Sequence, residues 1–206
     1  MGGRSVTLIT MATMLEAKPF VVGLGLKPYD KKPFPVFTTE NLVLVISGIG
    51  KAHAAAATAY GLLTFSPSAV LNTGAAGALD RSHPTGSIYQ INNIIEHDRP
   101  NILTGKPVRH KPDKMKGFDD AVLASGDRPV IDREDRSRLA ALADLVDMEA
   151  AAVVQTCRTM SVPCHIFKFV SDDPGHTVGT HIIHNIRKFR VDLFDFCSVG
   201  VLPRLS

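Results

Sequence analysis

Three carboxylates stand out because of their surroundings. Glu149 lies in VDMEAAAV, at the head of an alanine-rich helix pattern. Asp172 lies in KFVSDD, closing a short apolar run that reads as a buried strand, and Glu16 follows directly on the apolar run SVTLITMA. A charge in such a place costs desolvation energy unless it is paired or functional. Carboxylates alone suit the cleavage of a glycosidic bond: one acid protonates the leaving group, another activates water, and nearby negative charge stabilises an oxocarbenium-like transition state. Other chemistries lack their parts. There is no GxSxG elbow, Cys157 falls within a helix pattern, and no GxxxxGK[ST] loop is present to grip phosphate. Glu16 has a second reading, as an exposed carboxylate in the first turn of a helix.

The elements that must position these groups alternate. Strand patterns cover 5–12 and 41–46, the stretch 69–79 opens as a buried strand followed by a turn of glycine and alanine only, and a further strand pattern follows Gly86 in SIYQINNIIEHD, whose partial alternation suggests an antiparallel or edge strand. The segment KPYDKKPFPVF reads as a loop leading into an edge strand. A short strand near 120–124 precedes the amphipathic helix DREDRSRLAALADL, and the chain ends in a helix pattern after a loop. Strand and helix alternating with glycine turns predict a three-layer α/β fold, with residues 1–206 as one domain. The pair Gly48 and Gly50 invites a dinucleotide-binding reading, but His53 occupies the third glycine position and Asn72-Thr73 stands where an acidic ribose anchor belongs. A tight strand-to-helix turn explains these glycines, and they could also let backbone amides approach an anion or a hydroxyl. The run Gly74-Ala75-Ala76-Gly77 leaves bare backbone against which a ligand could lie.

Composition narrows the class further. Hydrophobic residues make up 45% and charged residues 21%, as in ordinary globular proteins, and a net charge of +3 implies neither a nucleic-acid nor a membrane partner. The basic segment 99–117 carries six Lys or Arg residues and three prolines but lacks aromatic interleaving, so it reads as solvated surface. His181 and His184 would share a helix face near His176, yet nothing completes a metal set, and the reading is no metal. The three cysteines lack CxxC spacing and read as free thiols in a reducing cytoplasm. The amino-terminal segment has no signal-peptide pattern, and no run approaches the roughly 20 apolar residues of a membrane span.

Taken together, SGIGKAHAA, NTGAAGAL, GSIYQINNIIEHD, ASGD, VDMEAAAV and VSDD resemble the nucleoside phosphorylase superfamily, and most closely the 5′-methylthioadenosine/S-adenosylhomocysteine nucleosidases. They stand in the family's order, and the pairing of VDMEAAAV with SDD is the specific part. The resemblance implies a single-domain three-layer α/β/α fold around a central mixed sheet. It implies that Asp172 protonates the imidazole-ring nitrogen of a purine with Ser171 orienting it, that Glu149 binds the ribose hydroxyls with Met148 against the sugar, and that Glu16 activates water. Ala75 and Gly77 would line the sugar side. Pro129 and Val130 would line the base side beside ASGD, where the nucleosidases carry a stacking phenylalanine; Ala75 stands where they usually have serine. A homodimer whose partner closes the 5′ end of the pocket, and no cofactor, are also implied.

The substrate stays open. Futalosine hydrolase and hopanoid-pathway nucleosidases share related motifs, and LEAKPF resembles the former slightly. A phosphorylase must hold a dianion, normally with arginine and hydroxyl or amide donors. Near the glycine turns stands only Lys51, with no arginine before Arg81, and Glu16 would repel phosphate, so hydrolysis is favoured. A phosphate-dependent phosphorylase and a catalytically silent nucleoside-binding protein are the alternatives.

Overall fold

The computed structural model describes residues 5–175 and 179–205. Apolar, β-branched runs form the centre. Strands β1 (Thr7–Met11), β4 (Leu42–Ile46), β5 (Ala69–Ala78) and β10 (Cys164–Asp172) run parallel in the order β4-β1-β5-β10. They are buried on both faces, which is why their sequences read as near-continuous apolar stretches. Beyond β4 lies a hairpin of β3 (Val36–Thr38) and the exposed β2 (Lys27–Asp30), so the proline-rich segment supplies an edge hairpin rather than a loop and one strand.

On the other side the sheet closes on itself. β10 pairs antiparallel with β6 (Ile88–Pro100), β6 parallel with β8 (Asp120–Ser125), β8 parallel with β9 (Leu145–Asp147), and β9 antiparallel with the end of β5. The short β7 (Pro107–His110) extends β6. β6 is therefore antiparallel to two neighbours, in keeping with its alternation, but it is interior to the ring and not an edge. The sheet is mixed, and its closure brings the ends of β5, β9 and β10 together.

Helices cover both faces. α2 (Lys51–Phe65) and α4 (Ala150–Thr159) pack through alanines and valines onto one face, with Leu8, Val43, Val70, Ile94 and Ile166 beneath them. α1 (Met14–Gly23) and α5 (Gly179–Phe196) cover the other, where Phe20 and Leu193 meet Ile9, Leu44, Phe167 and Phe169. Short α3 (Arg133–Ala140) closes the mouth of the ring over Leu79, Ile95 and Val146. The three layers follow. No helix among the described residues is long and apolar enough to cross a membrane.

One local feature departs from the sequence reading. Gly74 to Gly77 do not turn after β5; they continue it to Ala78. Their small size serves neighbours. A Cβ on Gly74 would come within 2.8 Å of Glu16 Oε1, and one on Gly77 within 3.0 Å of Asp172 Oδ2.

Candidate active site

Glu16 enters the site through a helix cap. Thr13-x-x-Glu16 opens α1 as a capping box: the Glu16 amide donates to Thr13 Oγ1 at 3.3 Å, while the Thr13 amide and hydroxyl donate to Glu16 Oε2 at 3.1 and 2.6 Å. The other oxygen, Oε1, accepts from the Ala75 amide at 2.9 Å. The carboxylate is thus buried, fixed at both oxygens and pressed against the bare backbone of β5. It is not the exposed first-turn carboxylate of the alternative reading.

Glu149 is presented by a division of labour at the start of α4. Asp147 Oδ2 accepts from the Ala150 amide at 3.0 Å and Ser125 Oγ from the Ala151 amide at 3.2 Å, so Glu149 is not needed as a cap. Its Oε1 instead accepts from the Gly50 amide at 3.0 Å across the chain. Gly50 (φ 102°) and Gly48 (φ 86°) make the turn between β4 and α2 in conformations that favour glycine, and the ring of His53 packs against Gly48. The next amide, Lys51 N, donates to Asp127 at 2.7 Å. The ASGD segment thereby serves two helix starts, Ser125 at α4 and Asp127 at α2. The anion expected at the glycine turn is the protein's own.

The charges behind Glu149 are unevenly balanced. Lys168, fully buried in β10, pairs with Asp147 at 2.9 Å. Burial pushes the Glu149 carboxyl up to about 7, Asp147 adds to the rise, and Lys168 opposes it. Burial alone would lower the Lys168 ammonium, but Asp147 and Glu149 outweigh it and hold it above its ordinary value.

Asp172 closes β10 with different partners. Ser171 Oγ carries one hydrogen and lies 2.6 Å from Oδ1, the shorter contact, and 3.2 Å from the Ala76 carbonyl, and Arg136 of α3 forms an ion pair with Oδ2. Arg136 is buried too, and donates through Nε to Val130 O at 3.1 Å and through Nη1 to Ala78 O at 2.7 Å. Asp173 lies beyond the strand as a loop residue.

The residues singled out from sequence meet around two adjoining cavities. One, of about 200 Å³, is lined by Glu16, Ala75, Gly77, Met148, Glu149 and Ser171. The second, of about 140 Å³, is lined by Gly77, Pro129, Val130, Met148 and Asp172, together with Arg136. Gly77 and Met148 belong to both, as does Ile182 of α5. His181 and His184 lie exposed on α5, His176 falls outside the described residues, and no group of three or more metal-ligating side chains occurs among the described residues.

Sequence reasoning missed Arg136, Lys168 and Thr13. Thr13 carried a readable signal in the T-x-x-E spacing, and Lys168 in its position within HIFKFV, a charge in a strand run. Arg136 had none, since DREDRSR offers three arginines alike.

Comparison with known proteins fits this arrangement. The family described as "Phosphorylase superfamily" matches over residues 27–123 and 117–192. A 5′-methylthioadenosine/S-adenosylhomocysteine nucleosidase of Staphylococcus carnosus is 31% identical over 157 residues, 65% of this chain and 69% of the relative. Among solved structures, 5′-methylthioadenosine nucleosidase of Arabidopsis thaliana superposes with a TM-score of 0.88 at 18% identity, covering 98% of this chain and 96% of that one. Futalosine hydrolase of Helicobacter pylori superposes with a TM-score of 0.83 at 19% identity, covering 94% and 96%. At these identities the structural matches speak for the fold.

Proposed function

The chain belongs to the phosphorylase superfamily, and from that membership and the three carboxylates we propose that it hydrolyses the N-glycosidic bond of a 5′-modified purine nucleoside, of the methylthioadenosine/S-adenosylhomocysteine type for which its relatives are named. Asp172, oriented by Ser171 and paired with Arg136 in the resting site, takes up a proton from solvent as the nucleoside binds and passes it to N7 of the base, so that the C1′–N9 bond breaks with its electron pair on a neutral purine. Glu149 accepts hydrogen bonds from the ribose hydroxyls, with Met148 against the sugar, and its charge supports the oxocarbenium-like ring. Glu16 takes a proton from water as the new C1′–O bond forms. The products are free purine and the 5′-modified ribose.

One observation favours water over phosphate as the nucleophile. The amides of Gly50, Lys51 and Ala75, which could cradle a dianion, already donate to Glu149, Asp127 and Glu16. Lys51 Nζ is likewise engaged, with Asp98 at 2.6 Å and Glu96 at 3.3 Å. Phosphate entering here would face fixed carboxylates in a partly dry site, a repulsion of several kcal/mol on the order expected at reduced dielectric. The test is base release from methylthioadenosine, S-adenosylhomocysteine, futalosine and plain purine nucleosides, with and without phosphate. Release independent of phosphate is expected; strict phosphate dependence sinks the hydrolase.

We further place the working protein in the cytoplasm as a homodimer. Three buried free cysteines suit a reducing compartment. Ile49, 58% exposed, lies at the mouth of the sugar-side cavity, where a second copy would cover it. A depression of about 490 Å³ between α2 and α4, lined by Ala52, Ala55, Ala59 and Met160, offers small side chains to a partner helix. A monomer mass by light scattering at working concentration would contradict the dimer.

A further inference from the structure

We propose that Asp127 is a positioning residue: it fixes the glycine turn that aims Glu149 at the ribose and ties that turn to the wall of the base cavity. The proposal rests on the reading of Glu149 as the ribose ligand. α2 starts at Gly50, which has no side chain to cap it and stands at φ 102°. The acceptor comes from elsewhere in the chain, since Asp127 Oδ1 takes the Lys51 amide at 2.7 Å. One residue earlier, the Gly50 amide donates to Glu149 Oε1 at 3.0 Å. Two carboxylates thus hold consecutive amides of one turn, and the place of Asp127 sets the direction in which the Gly50 amide points. A Cβ on Gly50 would stand 3.2 Å from Asp127 Oδ1, so this carboxylate lies directly against the turn.

Asp127 is itself held. Its amide donates to Asp98 Oδ2 at 2.7 Å, and Asp98 Oδ1 accepts from Lys51 Nζ at 2.6 Å. Lys51 of α2, Asp98 of β6 and Asp127 beyond β8 therefore form a closed ring in which each bonds to the other two. The residues on either side of Asp127 reach the site. Before it, the Gly126 amide donates to the Asp147 carbonyl at 3.1 Å and Ser125 Oγ accepts from the Ala151 amide at 3.2 Å, where β9 passes into α4 around Glu149. After it, Arg128, Pro129 and Val130 line the second cavity. The segment 125–130 thus reaches Glu149 from its own helix start and from the glycine turn, and carries one wall of the base cavity besides. Asp127 is its link to the turn. Were Asp127 only a surface cap, its loss would lower stability and leave the ionisation of Glu149 as it is.

The experiment follows Glu149 in the full chain by two readouts. One is the pH profile of kcat/KM for 5′-methylthioadenosine. The other is titration of the Glu149 carboxyl carbon by nuclear magnetic resonance, its signal assigned by its absence in Glu149→Gln. Burial, Asp147 and Glu16 push that carboxyl up, to about 7, whereas Lys168 and the Gly50 amide pull it down. Asp127→Ala loosens the amide, so the titration and the rising limb of the profile are both expected to move to higher pH. kcat/KM should fall about 10-fold, a full 1 Å misplacement costing about 100-fold. Asp127→Asn, which keeps a neutral acceptor, should hold most of the rate. In a Glu149→Gln background, Asp127→Ala should change kcat/KM by less than about 2-fold. An unmoved titration in Asp127→Ala overturns the proposal, as does full additivity with Glu149→Gln. If no nucleoside is cleaved but the titration moves, the hydrolase reading fails and the positioning role stands. Asp127 is exposed; should its alanine variant not fold, Asp127→Ser, whose shorter side chain gives up the Lys51 contact, takes its place in both readouts.

Discussion

The two ends of the site hold their carboxylates in opposite ways. At the sugar end, Glu16 and Glu149 are held mainly by backbone amides, those of Thr13 and Ala75 for one and Gly50 for the other, with the Thr13 hydroxyl as an extra donor. At the proposed base end, the partners of Asp172 among the described residues are side chains, Ser171 beside it and Arg136 from an eight-residue helix elsewhere in the chain. Amide donors follow from the course of strands and turns and survive most substitutions. A side-chain partner can be changed by one mutation. The proposed sugar end is therefore the part less open to change by a single substitution, and the proposed base end the part more open to it.

The sharpest way to break this contrast is at Asp172. Asp172→Asn is expected to slow base release by about 10²–10⁴-fold, the usual cost of losing a general acid. It also strands the buried Arg136 without its anion, so denaturant unfolding should show a loss of about 3 kcal/mol or more. Adding Arg136→Met should restore much of that stability and none of the rate. Recovery of rate in the double variant would remove Asp172 from the chemistry.

The sugar end responds to pH instead. Glu149 in the folded chain titrates near 7 against its ordinary 4.5. The unfolded chain ionises more readily, so this carboxyl makes folding less favourable as pH rises from about 4.5 to about 7, and no further above that. Glu149→Gln should remove that slope from the pH dependence of stability. In its proposed role as ribose ligand Glu149 acts when ionised, so kcat/KM should climb through a group near 7, and the glutamine variant should lose this limb while keeping a low, flat rate. Lys168→Met removes the cation that opposes the rise, and the limb should move to higher pH. An unmoved limb would separate Lys168 from Glu149. The smallest effect is expected for Thr13→Ala, about 1 kcal/mol of stability through the lost cap, with a modest loss of rate as Glu16 loosens.

Much of the sugar end was legible before any coordinates. Glu16 close behind the first apolar run, Gly48 and Gly50 after an apolar run, and Glu149 ahead of an alanine-rich helix are local patterns, and each found its structural cause within a few residues or at one strand end, although the cap that Thr13 makes with Glu16 went unread. Gly74 and Gly77 were legible as bare backbone but not as strand, because the neighbours that require them, Glu16 and Asp172, are distant in sequence. SIYQINNIIEHD showed an antiparallel strand but not the closed ring, since closure depends on where β8 and β9 return.

The sequence by itself determined the alternation of strand and helix and the identity of the carboxylates, because hydrophobic period, caps and desolvation cost are properties of short stretches. It also carried the family motifs. Only the tertiary structure decided which donors those carboxylates meet. Arg136 is one of several arginines in a charged helix until the fold buries it against Ala78, Val130 and Asp172. A buried cation must find its anion, and the closure of the sheet, rather than any local pattern, brings that anion to the wall of the same cavity.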